Sequence, residues 1–136
     1  MRTNTVARAA AVLVGLEGAA LVALAVWQTL AIASGDTAAL DSAIALLVLT
    51  VVGIVTVMAF AVAIWRGRSW GRSGAIVTQV LILAVALGAA TGAYAHASTA
   101  LILAAPAVVT LVLLVIAVRD AGREPRESSA EDTNLP

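Results

Sequence analysis

The chain reads as long apolar blocks separated by short polar breaks, and its ionisable residues mark the edges. Between Arg8 and Asp36 the one charged side chain is Glu17. From Ser42 to Trp65 there is no charged residue, and from Ser73 to Val118 there is again none. That last run is interrupted by a polar patch at Tyr94, His96, Ser98 and Thr99. A hydrocarbon layer about 30 Å thick is crossed by about 20 helical residues. The first two blocks therefore hold one span each, and the third holds two spans joined by a tight turn. The pattern predicts helices near 8–32, 39–65, 71–95 and 99–118.

Helices rather than barrel strands follow from the unbroken apolar runs, since barrel strands alternate with a period of two. The many Val, Ile and Thr residues are poor helix formers in water, but in lipid the backbone must satisfy its own hydrogen bonds. Local start signals agree with this reading. Asp36 or Thr37 is placed to cap the second helix, Ser69 the third, and Ser98 or Thr99 the fourth, while Ser34-Gly35-Asp36 forms a turn cluster. The predicted fold is an all-α, four-transmembrane-helix bundle over residues 1–118.

Composition sharpens this into an exclusion. Of the 136 residues, 62% are hydrophobic and 12% charged, with a mean hydropathy of +1.04. Soluble domains carry about 45–50% apolar and about 25% charged residues, so a soluble globular enzyme is a poor fit. Eight basic residues balance eight acidic ones, which gives no net attraction to nucleic acid. No cysteine is present, so disulfides, thiolate metal sites and thiol nucleophiles are ruled out.

All eight basic residues are arginines, and their placement predicts orientation. Arg2 and Arg8 precede the first span, Arg66, Arg68 and Arg72 fill the loop between the second and third, and Arg119, Arg123 and Arg126 follow the fourth. The other two loops carry Asp36, Asp41 and His96. By the positive-inside rule both termini are expected to be cytoplasmic. Trp65 and Trp70 then fall at the inner interface, Trp27 and Tyr94 near the outer one. Arg2 and Arg8 before an apolar run ending in Ala31-Ile32-Ala33 also match a cleavable signal peptide. The run is longer than a signal's apolar core and contains Glu17, so a retained span is the expectation. Residues 119–136 are polar and of mixed charge, and are expected to form a disordered cytoplasmic tail.

Glu17 is the ionisable group clearly inside the hydrocarbon. It lies nine residues beyond Arg8, roughly 13 Å in at 1.5 Å per residue. A carboxylate there costs several kcal/mol unless paired, hydrated or protonated. The same arithmetic puts Gln79 roughly 10 Å beyond Arg72, and Thr110 and Thr56 roughly 13–15 Å from Arg119 and Arg66. Glu17, Thr56, Gln79 and Thr110 thus form a candidate intramembrane polar layer, one side chain per helix. Such a layer acts either as interhelical glue or as a proton- or cation-coupling site.

Small residues suggest close-packing faces, used either within one chain or between two copies. Ala7, Ala11, Gly15, Ala19 and Ala23 recur every four residues in the first helix, as do Ala84, Gly88 and Gly92 in the third. Gly15, Ala19, Gly88 and Gly92 are the packing candidates. Gly15 and Ala19 sit about 200° around the helix from Glu17, so stripe and carboxyl should meet different neighbours. Pro106 frees the carbonyl of Ile102, so a kink is expected in the fourth span. His96 is expected in the outer turn, solvated, rather than on a metal. In the central loop Arg66, Arg68, Trp70 and Arg72 suit the headgroup layer, where guanidinium pairs with phosphate and indole anchors a helix end.

Val14-Gly15-Leu16-Glu17-Gly18 in the first helix, Arg66-Gly67-Arg68-Ser69-Trp70-Gly71-Arg72 in the central loop and Gln79 beyond it together carry a family resemblance. The chain resembles the small, uncharacterised four-span integral membrane proteins common in actinobacteria. The resemblance covers the spans and implies a four-helix fold and a plasma-membrane address, with no assigned activity. A membrane glutamate in helix one of a four-span chain is also similar to small multidrug-resistance transporters. The aromatic residues lining that family's cavity have no counterparts here, and the arginine asymmetry departs from its members that insert both ways.

No nucleophile–base pair, metal cluster or phosphate loop stands out, so neither catalytic residues nor a cofactor or metal is expected. The reading is a non-enzymatic accessory or interaction protein of the plasma membrane. Its partners would be the lipid bilayer and either another protein or a second copy of itself. The alternative is a proton-coupled small transporter with Glu17 as the coupling carboxylate, its substrate not specified by the sequence.

Overall fold

A computed structural model describes residues 2–92 and 95–122, with side chains from residue 5 onward. Four helices make up the described chain: α1 (Arg2–Ala33), α2 (Leu40–Trp65), α3 (Ser69–Thr91) and α4 (Ala97–Ala121). Each is long and apolar enough to cross a membrane. The expected position of Tyr94, the ends of Arg2, Arg123 and Arg126, and all of the tail beyond Gly122 lie outside the described residues.

The helices form a ring. α1 packs most extensively on α2 and α3 on α4, and the α2–α3 and α1–α4 contacts close it. The bundle is thus two hairpins laid side by side, with α1 diagonal to α3. The buried cluster lies toward the end where Arg8, Arg66, Arg72 and Arg119 gather. It comprises Ala10, Ala11 and Val14 of α1, Val57, Ala61 and Ile64 of α2, Ala75 of α3 and Leu114 of α4. Alanines at these positions let backbones approach, which matters because dispersion and polar contacts, not water exclusion, hold helices together in lipid.

Glycine sets both of the fully described reversals. Gly35 and Gly67 take φ of 73° and 72°. Gly35 N–H donates to the Ile32 carbonyl and Asp36 N–H to that of Ala31. Gly67 and Arg68 repeat the pattern with Ile64 and Ala63. This is the Schellman closure, in which a left-handed residue satisfies the last helical carbonyls. A Cβ would strain that backbone, so glycine is the residue that fits.

The ends differ from expectation in several places. α1 begins well before residue 8, and α2 begins after Ala39, which makes no side-chain cap bond. Asp36 and Thr37 do not cap α2. Asp36 is consumed in closing α1, and Asp41 instead places a negative charge in the first turn, where the helix dipole favours it. Ser69 is the first residue of α3 rather than its cap, because Gly67 completes the reversal and leaves Arg68 extended. α3 stops at Thr91, not 95, since Gly92 leaves the helical region at ψ 172°. α4 starts at Ala97 behind His96, so Ser98 and Thr99 lie inside its first turn. α4 also runs past 118 to Ala121, with Arg119 in the last turn, so the first residues assigned to the tail are helical. Pro106 lies within the continuous span of α4, its side chain exposed.

Candidate functional site

The centre of the bundle holds a three-helix polar contact. Gln79 Nε2 of α3 donates to Glu17 Oε2 of α1 at 2.6 Å, and Thr110 Oγ1 of α4 donates to Glu17 Oε1 at 3.2 Å. Gln79 and Thr110 are both 0% exposed, whereas Glu17 is half-buried. The carboxyl group accepts on both oxygens. Gln79 Oε1 is itself buried and, among the described residues, accepts no hydrogen bond.

Each partner is placed by its helix. Val14, Ala75 and Leu114 lie three or four residues from Glu17, Gln79 and Thr110 in the direction of the arginines, and all three are buried. With Ile64 they make an apolar layer between the polar contact and the arginine-bearing end. Gly18 lets Met58 of α2 come close beside the carboxyl-bearing turn, since an added Cβ would lie 2.6 Å from the Met58 sulfur.

Thr56 does not join this contact. Its side chain is on an exposed face, and Oγ1 donates to the Val52 carbonyl at 2.8 Å. Thr29, Thr50, Thr78 and Thr91 likewise bond the carbonyl four residues back. A threonine inside a span satisfies itself this way by default, so its depth says nothing about a partner. Thr110 departs from that habit, and its hydroxyl donates to Glu17 on the neighbouring α1.

The packing candidates also separate. Gly15 faces α2, where a Cβ would meet Ala61 at an ordinary 4.0 Å, and so turns to a different neighbour from Glu17. Ala19 is exposed and does not pack within the chain. Gly88 is exposed with nothing within 4 Å of an added Cβ, and Gly92 lies beyond the end of α3, so this pair does not form a packing face here. The tight approaches occur instead at Gly71, where a Cβ would come within 2.5 Å of Ala63 Cβ, and at Gly74, where it would overlap the Phe60 ring. Sequence spacing missed both; the signal was their position directly after a tight α2–α3 reversal, where the two helices must lie closest.

At the arginine-bearing end Arg66, Arg68 and Trp70 are exposed, and Arg72 is half-buried. Two aromatic contacts organise this rim. The Arg8 guanidinium lies 5.6 Å from the Trp65 ring centroid, a cation–π contact between α1 and α2. Phe60 and Trp70 meet edge to face with centroids 5.9 Å apart. No known family profile matches the sequence, and neither a curated protein nor a solved structure matches the chain.

Proposed function

We propose that the chain is a multi-pass protein of the plasma membrane, with both termini cytoplasmic, that serves as a non-enzymatic accessory subunit. The observation that carries this reading is the use made of Glu17. Both carboxyl oxygens are engaged by fully buried partners on two other helices. An apolar layer separates them from the arginine-bearing end. That is the arrangement of a lock that fixes helix positions. The accessory role is supported by the exposed outer half of the α1 small-residue stripe, Ala19 and Ala23, a surface on which a helix of another chain could pack closely. The arginine asymmetry supports the orientation. The resemblance to four-span actinobacterial proteins adds the same address. Unbiased co-purification from native membrane tests the role: a stoichiometric partner supports it, and a chain recovered alone and monomeric overturns it.

The second reading is a proton-coupled carrier, and one observation favours it. The Gln79 Oε1 atom is a buried acceptor left over beside the carboxyl group, where a carried proton or cation would be held. Uptake by reconstituted chain, driven by a pH gradient and lost in Glu17→Gln, establishes the carrier. Uptake equal to that of empty liposomes across a broad solute panel retires it.

A further inference from the structure

We infer that the arginine end of α2 binds one anionic diacyl phospholipid, with one acyl chain on each side of the helix and the phosphate on Arg66 and Arg68. Two grooves flank this end of α2, and Val62 and Arg66 border both. The first, about 370 Å³, continues over Ala11, Val12, Ala61 and Trp65. The second, about 400 Å³, continues over Met58, Ala59, Ala63, Arg68 and Trp70. Both are open depressions on the outer surface of the bundle rather than enclosed cavities. The buried Ala11 and Ala61 lie beneath the first groove and the buried Ala63 beneath the second, and the charged residues that line them are Arg66 and Arg68.

Each groove also has a tryptophan wall held in place by a neighbour. Arg8 lies over Trp65 in the first, and Phe60 braces Trp70 in the second. Guanidinium groups form paired hydrogen bonds with phosphate oxygens, and indoles favour the headgroup boundary. A groove between α3 and α4, about 260 Å³, is lined by Leu83, Ala86, Leu87, Ala90, Ala100, Leu101 and Ala104 and carries no charged side chain. Charge therefore distinguishes the α2 pair. The ridge of Val62 and Arg66 between two apolar grooves matches a ligand with two chains leaving one phosphate. This inference rests on the reading that the chain spans a membrane with its arginines in an anionic leaflet.

The test begins with alkaline extraction of reconstituted vesicles. Release of the chain overturns the membrane reading itself, whereas retention leaves the lipid site to be judged alone. Native mass spectrometry of the detergent-purified chain then compares phosphatidylglycerol with phosphatidylcholine of the same chains. One phosphatidylglycerol per chain is expected, retained at least about fivefold over phosphatidylcholine. Arg66→Gln should lower that preference about fivefold, and Arg119→Gln should leave it unchanged, because Arg119 borders neither groove. Ala59→Phe, an exposed position in one groove, should weaken diacyl binding and spare the single-chain lysolipid. Excess inorganic phosphate should displace nothing. Equal retention of both lipids, equal damage from Arg119→Gln, or displacement by phosphate would each overturn the site. So would a lipid-free dimer that Ala59→Phe dissociates, since a second copy would then occupy the grooves.

Discussion

Glu17 and Gln79 lie 62 positions apart on diagonally opposed helices, and their side chains meet at 2.6 Å. α1 and α3 are not packing neighbours in the ring, so this bond crosses the middle of the bundle. With Thr110 it ties one hairpin to the other. Among the described residues the other contact of fixed geometry between the hairpins is the edge-to-face pair of Phe60 and Trp70 near the arginine-bearing end, so the polar contact sets the register of the hairpins at mid-depth.

The two ends of that bond should be unequal when broken. Glu17→Gln keeps an acceptor for Gln79 or Thr110 and should preserve folding. Glu17→Leu should cost about 2–3 kcal/mol, because it leaves the fully buried Gln79 amide without a partner for Nε2 as well as for Oε1. Thr110 can then turn to the Pro106 carbonyl four residues back, as the other span threonines do. Gln79→Leu should cost less, about 1–2 kcal/mol, because the half-buried carboxyl group keeps its bond from Thr110. Unfolding of the single and double variants in mixed detergent micelles measures this. No loss in either leucine variant would contradict the lock.

Gly71→Ala should destabilise the bundle by about 1–3 kcal/mol, the usual cost of overpacking. The new methyl would press on Ala63 Cβ and on the Ile64 backbone nitrogen 3.0 Å away, and backbone cannot swing aside. Gly88→Ala meets nothing and should be neutral, or stabilising by up to about 1 kcal/mol through helix propensity. The pair is compared by thermal denaturation in one detergent, and equal effects would argue against the α2–α3 approach described here.

Removing the Arg8 guanidinium should loosen Trp65. Arg8→Ala is expected to lose about 0.5–1 kcal/mol, the scale of an exposed cation–π contact, and Arg8→Lys to retain most of it. Trp65 emission, read in a background with Trp27 and Trp70 replaced by phenylalanine, should shift in Arg8→Ala. An unchanged spectrum would show that the two side chains do not meet.

Orientation is open to direct measurement. Reporter fusions after Asp36 and after His96 should read external, and fusions after Gly67 and Gly122 internal. An internal signal at Asp36 would defeat the arrangement with both termini inside. Signals of both kinds at all four points would return attention to a dual-topology transporter.

The spans were legible because charges and one polar patch delimit them: Asp36, Asp41, Arg66, Arg72 and Arg119 stand at or near helix ends, His96 marks the break between α3 and α4, and Arg8 lies inside α1. Depth was legible too, since a rise of 1.5 Å per residue converts position into height. That is how Gln79 and Thr110 could be set beside Glu17 before any coordinates. Azimuth was not legible. Thr56 lies at the same height but on an outward face, and nothing in a nearly uniform apolar helix reports which way a residue turns. Spacing likewise does not tell that Gly88 turns outward while Gly92 lies past the end of α3. Helix ends were shifted because Gly35 and Gly67 close their helices by backbone bonds, which left the flanking Asp36, Thr37 and Ser69 without the capping role their residue types suggest.

The tie between hairpins has a consequence for how the protein is made. α1 and α2 leave the ribosome first, and α1 carries Glu17 into the bilayer before Gln79 and Thr110 have been synthesised. During that interval the carboxyl group has no internal partner, and the half-built chain is marked by a polar group in oil. Arrival of the second hairpin removes the mark. A chain truncated after the central loop would keep it, and a membrane quality-control protease would have a chemical basis for telling the unfinished product from the finished one.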